Sequence, residues 1–234
     1  MTRRRPKLGQ HFLRDTRYAE RAIEAAHLSK DDIVLEVGPG KGVLTRLLVA
    51  AGVAKVVAIE LDEALADALD VPGVELIRGD AAQVEWPAFT ACVSNIPYEI
   101  SSPLLFRLLD HDFRVAVLLV QKEFADRLVA NPGTGEYGRL SVNAQRRAEV
   151  RILARVPPGA FAPPPRVDSA LVVIAPRPPA FEVPRNFDAV VERAFAQRRK
   201  KLANSLGRKD IPHADRRPEE LTPEEFADVA RALL

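Results

Sequence analysis

The chain has 234 residues, of which 47% are hydrophobic and 28% are charged, and its formal net charge is +2. This length and composition fit one full-sized globular domain with a small second one, and they exclude a disordered, collagen-like or fibrous protein. The longest apolar runs, such as residues 115–120, are too short for a membrane helix, and the basic N-terminus lacks the apolar stretch of a secretory signal. The single cysteine, Cys92, excludes an internal disulfide and a cysteine zinc cluster, and the histidines lack metal-binding spacing. We therefore expect a cytoplasmic protein without a metal.

The near-neutral total conceals an uneven distribution of charge. Residues 1–21 carry a net charge of +5, residues 193–209 carry +7, and residues 58–85 carry −7. Two basic poles of this kind favour a polyanionic partner such as RNA. The alternative is that the arginine-rich ends are only solvated surface.

Strand and helix patterns alternate along most of the chain. After a helix over 15–26, the pattern predicts strands at 31–38, 55–60, 74–78, 91–94 and 115–120, separated by helices at 43–51, 62–69, 103–109 and 123–129. Two more strands fit at 150–156 and 169–174, beyond a turn-rich stretch. This alternation predicts an α/β protein with an open, mostly parallel sheet and helices on both faces. Ligands bind such sheets at the carboxyl ends of the strands, and four polar signals fall there: Gly38, Glu60, Asp80 and Asn95.

The composition changes after residue 176. A proline-rich connector over 176–184 is followed by helical patterns at 186–199 and 223–233. The chain is therefore predicted to divide into a catalytic domain with a basic N-terminal arm, residues 1–178, and a small helical domain, residues 179–234.

A glycine-rich loop, Gly38-Pro39-Gly40-Lys41-Gly42, follows the first core strand. Its spacing is neither the dinucleotide G-x-G-x-x-G nor a phosphate-binding P-loop. The preceding acid, Glu36, suits a ligand with a cationic amino-acid end, Glu60 suits ribose hydroxyls, and Asp80 suits an adenine amino group. Together they indicate S-adenosylmethionine rather than NAD. A tight turn with ordinary capping acids is the alternative.

The segment Asn95-Ile96-Pro97-Tyr98 directly follows another predicted strand. Carbonyl acceptors there can bind the exocyclic amine of an extruded base, the proline stiffens the turn, and the tyrosine ring can stack on the base. A strand-end turn with a packed tyrosine is the alternative.

Several motifs together resemble one family, the rRNA adenine N6,N6-dimethyltransferases, and within it the KsgA-type small-subunit branch of archaeal kind. They occur in order over residues 7–206: Gly9-Gln10-His11-Phe12-Leu13, Glu36-Val37-Gly38-Pro39-Gly40-Lys41-Gly42, Asn95-Ile96-Pro97-Tyr98, Gln121-Lys122-Glu123, Tyr137-Gly138-Arg139-Leu140-Ser141-Val142, Phe161-Ala162-Pro163-Pro164-Pro165-Arg166-Val167-Asp168-Ser169 and a basic segment over 197–206. The basic segment resembles a C-terminal basic helix of that branch.

The resemblance implies a class I S-adenosylmethionine-dependent methyltransferase, with a Rossmann-like, mostly parallel seven-stranded sheet and a small all-helical C-terminal domain. It implies transfer of methyl groups from S-adenosylmethionine to the exocyclic amines of two adjacent adenosines near the 3′ end of small-subunit rRNA. The amine attacks the methyl group in line, and S-adenosylhomocysteine leaves. The implied partner is small-subunit rRNA within a pre-ribosomal small subunit. We expect the protein to act as a monomer and not to associate with a membrane.

The resemblance and the charge pattern also assign residues to three roles. The expected cofactor contacts are Gln10, His11, Leu13, Glu36, Gly38, Gly40, Glu60, Asp80, Ala81 and Asn95. The adenine is expected to meet Asn95, Pro97, Tyr98 and Phe161. The expected RNA contacts are Arg3, Arg4, Arg5, Lys7, Arg198, Arg199, Lys200 and Lys201.

Two other functions compete with this one. A large-subunit adenine methylase of the antibiotic-resistance type shares the glycine loop and the Asn95–Tyr98 segment, whereas residues 163–169 and 198–206 favour the small-subunit enzyme. A non-catalytic ribosome assembly factor would predict loss of Glu60, Asp80, Asn95 or Tyr98, and all four are present.

Overall fold

The computed structural model describes residues 10–234. Its strands are β1 (Phe12–Leu13), β2 (Ile33–Val37), β3 (Lys55–Glu60), β4 (Val74–Arg78), β5 (Ala91–Asn95), β6 (Val115–Gln121), β7 (Ala148–Val156), β8 (Phe161–Ala162) and β9 (Ser169–Pro176). Its α-helices are α1 (Thr16–Ala26), α2 (Val43–Ala50), α3 (Glu63–Ala68), α4 (Ser101–Leu109), α5 (Lys122–Val129), α6 (Arg139–Arg147), α7 (Phe187–Phe195), α8 (Leu202–Leu206) and α9 (Pro223–Arg231).

A seven-stranded sheet runs in the order β4-β3-β2-β5-β6-β9-β7. The first five strands in this order pair in parallel, and β9 is antiparallel to β6. The central strands are buried runs of valine, isoleucine, leucine and alanine, as expected where helices cover both faces. The predicted mostly parallel sheet is confirmed. Its register places the ends of β2, β3 and β5 at one edge, where Glu36, Glu60 and Asn95 lie.

Polar side chains fix several helix starts. The Asp62 carboxylate accepts hydrogen bonds from the backbone amides of Ala64 (3.0 Å) and Leu65 (3.2 Å), and so caps α3. Asp15 accepts from the amide of Arg17 at the start of α1. These caps agree with the predicted starts of both helices.

The structure differs from the sequence-based expectation in the stretch before β7. This stretch, predicted to be rich in turns, contains helix α6, whose inward face carries polar residues. The Asn143 amide donates to the carbonyl of Arg139, and the Gln145 amide donates to the carbonyls of Leu128 and Ala130. The buried apolar residues Leu140, Val142 and Ala144 alternate with polar ones, so the apolar spacing that would have revealed a helix is weak.

The basic residues 198–201 do not form a helix, which corrects the expected helical presentation. They form a turn between α7 and α8, in which the amide of Lys200 donates to the carbonyl of Gln197. The Arg198 guanidinium donates to Glu219 (2.8 Å) and to the carbonyl of Gly135 (2.6 Å). These bonds hold the side chain in the fold and favour the turn.

The chain divides into two compact units that interleave in sequence. The first contains the chain up to Lys122 and Ile152–Ile174, and the second contains Glu123–Arg151 and Ala175–Leu234. The core of the second unit is largely helical and includes Tyr137, Phe187 and Phe226. The functional division at residue 178 stays a prediction. No helix within residues 10–234 is long and apolar enough to cross a membrane.

A buried arginine stabilises the second unit. The Arg146 side chain is only 7% exposed, donates to both carboxylate oxygens of Asp188 (2.7 and 2.9 Å), and lies 4.9 Å from the centre of the Phe187 ring. This geometry makes Arg146 part of the core of the second unit.

We expect Asp188→Ala to lower the free energy of unfolding by about 1–3 kcal/mol, because it takes a charged partner from a buried guanidinium. Urea unfolding measures the change. The control is Glu192→Ala, which removes the partner of the exposed Arg139 and is expected to cost less than about 1 kcal/mol. Equal costs for the two variants would contradict the structural role of the Asp188 pair.

Candidate active site

A cavity of about 530 Å³ opens at the carboxyl edge of the sheet, within the first unit. Its walls come from the ends of β2, β3 and β5, the turn after β4, residues 10–13 and residues 164–167. Its size suits a nucleoside-sized ligand. Among the predicted contacts, the structure brings these residues to the cavity wall: Gln10, His11, Leu13, Glu36, Gly38, Gly40, Glu60, Asp80, Ala81, Asn95, Pro97 and Tyr98. Their contacts with ligands stay predictions.

The glycine loop depends on backbone conformations that favour glycine. Gly38 and Gly40 have φ angles of +72° and +55°. A Cβ on Gly40 would lie 2.9 Å from the Phe12 ring, so this position has no room for a side chain. The Lys41 ammonium lies 5.0 Å from the centre of the same ring. The loop therefore packs closely against the N-terminal segment of the cavity wall.

The Glu60 carboxylate holds this loop to the end of β3. One of its oxygens accepts from the amide of Gly40 (3.1 Å), and the other accepts from the amide of Asp62 (2.9 Å). Each carboxylate oxygen can accept more than one hydrogen bond, so the group can also receive ribose hydroxyls.

Glu36 is the most unusual acid of the cavity. Its side chain is buried, and its Oε2 atom has no hydrogen-bond partner among residues 10–234. Burial, reinforced by the nearby charge of Glu60, raises the pKa of Glu36 to about 8. A buried carboxyl group with one unpartnered oxygen at a cavity wall fits the ammonium group of an amino-acid ligand.

Asp80 is held in a local turn after β4. Its oxygens accept from the amide of Ala82 and the side-chain amide of Gln83, both at 2.8 Å. The carboxylate keeps lone pairs for a further donor, such as an adenine amino group. Among the described residues, no group of three or more His, Cys, Asp and Glu side chains is arranged to hold a metal ion.

The segment after β5 is tied to the N-terminal residues. The Asn95 amide nitrogen donates to the carbonyl of His11 (3.2 Å), which leaves Oδ1 as the acceptor of that side chain. The His11 ring donates to the carbonyl of Pro163 (2.9 Å) and lies 5.8 Å from the Tyr98 ring, centre to centre. Burial raises the pKa of Tyr98, which favours the neutral phenol still further.

Pro97 acts through its shape. Its carbonyl already accepts from the amide of Ile100 (3.2 Å) and from the Ser101 hydroxyl (3.3 Å). Its ring lies beside Gly38, where an added Cβ would be 3.5 Å from Pro97 Cδ. Pro97 therefore joins the turn after β5 to the glycine loop.

Phe161 lies behind the cavity wall, and its contact with adenine stays a prediction. Phe161 is only 2% exposed, pairs with Leu13 in the small β1–β8 ribbon, and packs in the hydrophobic core of the first unit. It does not line the cavity. Residues 164–167 do, and Val167 is an exposed apolar side chain among them. The motif therefore locates this wall of the cavity, whereas its aromatic residue packs in the core.

The predicted RNA contacts fall into three groups. Arg3, Arg4, Arg5 and Lys7 lie outside the described residues. Arg198 is held by Glu219 within the second unit. The remaining three, Arg199, Lys200 and Lys201, are exposed.

The raised pKa of Glu36 predicts a pH-dependent stability. The folded protein retains this proton up to about pH 8, whereas the unfolded chain releases it near pH 4.5, so this group lowers the free energy of unfolding as the pH rises between these values. Glu36→Gln removes that loss. We expect the stability of the variant relative to the original chain to grow by up to about 1.4 kcal/mol per pH unit in urea unfolding between pH 5.5 and 7.5. A constant difference across this range would contradict the prediction.

Comparisons with known proteins agree with this geometry. The profile of the family described as "Ribosomal RNA adenine dimethylase" matches residues 1–220. Two relatives are described as probable ribosomal RNA small subunit methyltransferase A. The one from Thermococcus gammatolerans is 46% identical, over 95% of this chain and 86% of the relative. The one from Methanothermobacter thermautotrophicus is 49% identical, over 87% and 75%.

Two solved structures share the fold. A dimethyladenosine transferase from Plasmodium falciparum has a TM-score of 0.84 and 29% identity, over 95% of this chain and 97% of that one. The 23S rRNA methyltransferase ErmE has a TM-score of 0.74 and 30% identity, over 95% and 99%. These likenesses confirm the predicted class I methyltransferase fold. The chain belongs to the ribosomal RNA adenine dimethylase family.

Proposed function

We propose that this protein is an rRNA adenine N6,N6-dimethyltransferase that uses S-adenosylmethionine and acts on two adjacent adenosines near the 3′ end of small-subunit rRNA, during ribosome biogenesis. The observation that carries the proposal is one cavity that joins three acids, Glu36, Glu60 and Asp80, to Asn95 and Tyr98. The small-subunit target is supported by eight relatives that are 42–49% identical and share that description.

The acidic part of the cavity fits S-adenosylmethionine. Glu36 would hold the ammonium group, Glu60 the ribose hydroxyls and Asp80 the adenine amino group, while Gly38 and Gly40 let the backbone approach closely. When bound, this cofactor supplies a methyl group activated by a positively charged sulfonium. The buried carboxyl of Glu36 supports this fit, because a cation is the partner that its unpaired Oε2 lacks.

The other part of the cavity fits an extruded adenosine. Asn95 Oδ1 would accept a hydrogen bond from the exocyclic amine and draw its lone pair out of conjugation with the ring. Tyr98 would stack on the base and set its plane. Because the sulfonium already activates the methyl group, orienting the amine contributes more to the reaction than a strong general base would. Asn95 and Tyr98 can supply most of that orientation.

The large-subunit target is a second candidate, supported by the likeness to ErmE. The higher identity of the small-subunit relatives and the higher TM-score of the dimethyladenosine transferase favour the first. We further propose that the protein acts as a cytoplasmic monomer on RNA in a pre-ribosomal small subunit, with contacts from Arg199, Lys200 and Lys201 and from the N-terminal arginines.

Methyl transfer from labelled S-adenosylmethionine tests the proposal. The substrates are unmethylated small and large ribosomal subunits and their naked RNAs, followed by identification of the modified base. Dimethyladenosine in the small-subunit fraction supports the proposal. Label confined to large-subunit RNA would move the target to the second candidate, and no label in any fraction would refute the enzymatic function.

Asn95→Ala is expected to reduce methyl transfer by at least about 100-fold, because it removes the acceptor for the amine. Binding of the RNA, measured by filter retention, should change less than about twofold. The control is Asn131→Ala, which deletes an exposed asparagine of the second unit and should leave both measurements unchanged. Transfer by the Asn95 variant at the original rate would exclude amine binding by this residue.

The exposed lysines of the second unit are expected to contact phosphates. Replacing Lys200 and Lys201 by alanine should weaken RNA binding and reduce the slope of log K against log salt concentration by about 1.5 to 2. The matched control replaces Lys30 and Lys55 by alanine, and these substitutions remove the same amount of positive charge elsewhere in the chain. If both double variants have the original slope, the turn between α7 and α8 is not part of the interface.

A further inference from the structure

A hydroxyl pair joins Tyr98 to a strand far away in the sequence. The Tyr98 and Ser169 hydroxyl oxygens are 2.5 Å apart, although 71 positions separate the two residues. Ser169 is completely buried, whereas the Tyr98 ring is half-buried and lines the cavity. The pair therefore connects a cavity side chain to the interior of the first unit.

The sheet fixes the position of the serine. Ser169 is the first residue of β9 and lies opposite Gln121 of β6 in the antiparallel register. The adjacent amide of Lys122 donates to the carbonyl of Asp168 (2.9 Å). The Ser169 hydroxyl thus extends from a strand and not from a mobile loop, so it is a stable anchor.

The backbone of Tyr98 is fixed independently. It begins a 3₁₀ turn over Tyr98–Ile100, in which the Ile100 amide donates to the carbonyl of Pro97. Between this turn and its hydroxyl, the tyrosine side chain has only two torsion angles. A side chain held at both ends presents its ring in one orientation.

We infer that Ser169 is a positioning residue for methyl transfer, which holds the Tyr98 ring at the orientation in which an adenine stacks on it. The inference rests on the proposed function, since it assumes that Tyr98 receives the base. Without the serine hydroxyl, the ring retains its backbone attachment and its contact with His11 but loses the bond that fixes its far end. Stacked bases would then adopt several orientations, and fewer of them would align the amine for transfer.

The test is a double-mutant cycle with Ser169→Ala, Tyr98→Phe and the double variant. Each single substitution removes the same hydrogen bond, so each should reduce kcat about five- to tenfold, and the double variant should be no slower than the slower single variant. The dissociation constant of S-adenosylmethionine should change less than about twofold. The control is Ser141→Ala, which removes another buried serine hydroxyl, one that donates to the carbonyl of Arg127 in the second unit. It should leave kcat unchanged.

Effects on kcat that multiply in the double variant would overturn the inference, as would an unchanged kcat in either single variant. If Ser169→Ala fails to fold, the same kcat criterion applies to Tyr98→Phe, which keeps the ring. Fluorotyrosine NMR gives a reading without turnover: the Tyr98 signal, assigned by its loss in Tyr98→Phe, should change in Ser169→Ala and not in Ser141→Ala. A protein that shows this change but methylates no RNA would refute the proposed function while retaining the anchoring of Tyr98. An unchanged signal would overturn the anchoring itself.

Discussion

Parallel pairing is the constraint on which the rest of the structure depends. Because β2, β3 and β5 run in the same direction and in register, Glu36 next to the end of β2 and the last residues of β3 and β5, Glu60 and Asn95, lie at one edge. The antiparallel β9 brings Ser169 to the same edge, because its first residue lies opposite the last residue of β6. The direction of the strands, more than the conformation of any loop, therefore brings the polar side chains of the cavity together.

A few hydrogen bonds then join segments that the sheet alone would leave apart. Glu60 secures the glycine loop, Asn95 reaches the carbonyl of His11, and Tyr98 reaches Ser169. Glu36 is the exception, since it is buried without a partner for Oε2. An unsatisfied carboxyl lowers the stability of the ligand-free protein, and this is the usual signature of a group kept for binding.

The sequence-based predictions succeed where local residue patterns determine an element and fail where long-range contacts determine it. Strands β3 and β4 were predicted with their observed bounds, since β-branched and apolar residues bounded by turn residues favour a strand in both segments. Helix α6 was missed because its buried residues alternate between apolar and polar side chains and so lack a helical apolar spacing. The surroundings of Arg198 and Phe161 could not be predicted for a related reason: long-range contacts, with Glu219 and with the core, decide where a charged or aromatic side chain points. Local pattern does not contain that information.

The interleaved order of the two units affects how the chain folds during its own synthesis. The ribosome completes α5 and α6, which belong to the second unit, before it makes β9, which lies between β6 and β7 in the sheet. The first unit therefore cannot complete its sheet until about three quarters of the chain has been translated. Until then the strongly apolar strand β6 lacks the neighbour that pairs with one of its edges. Exposed strand edges of this kind are sites of aggregation. The nascent chain thus has its greatest need of chaperone protection between the emergence of β6 and that of β9.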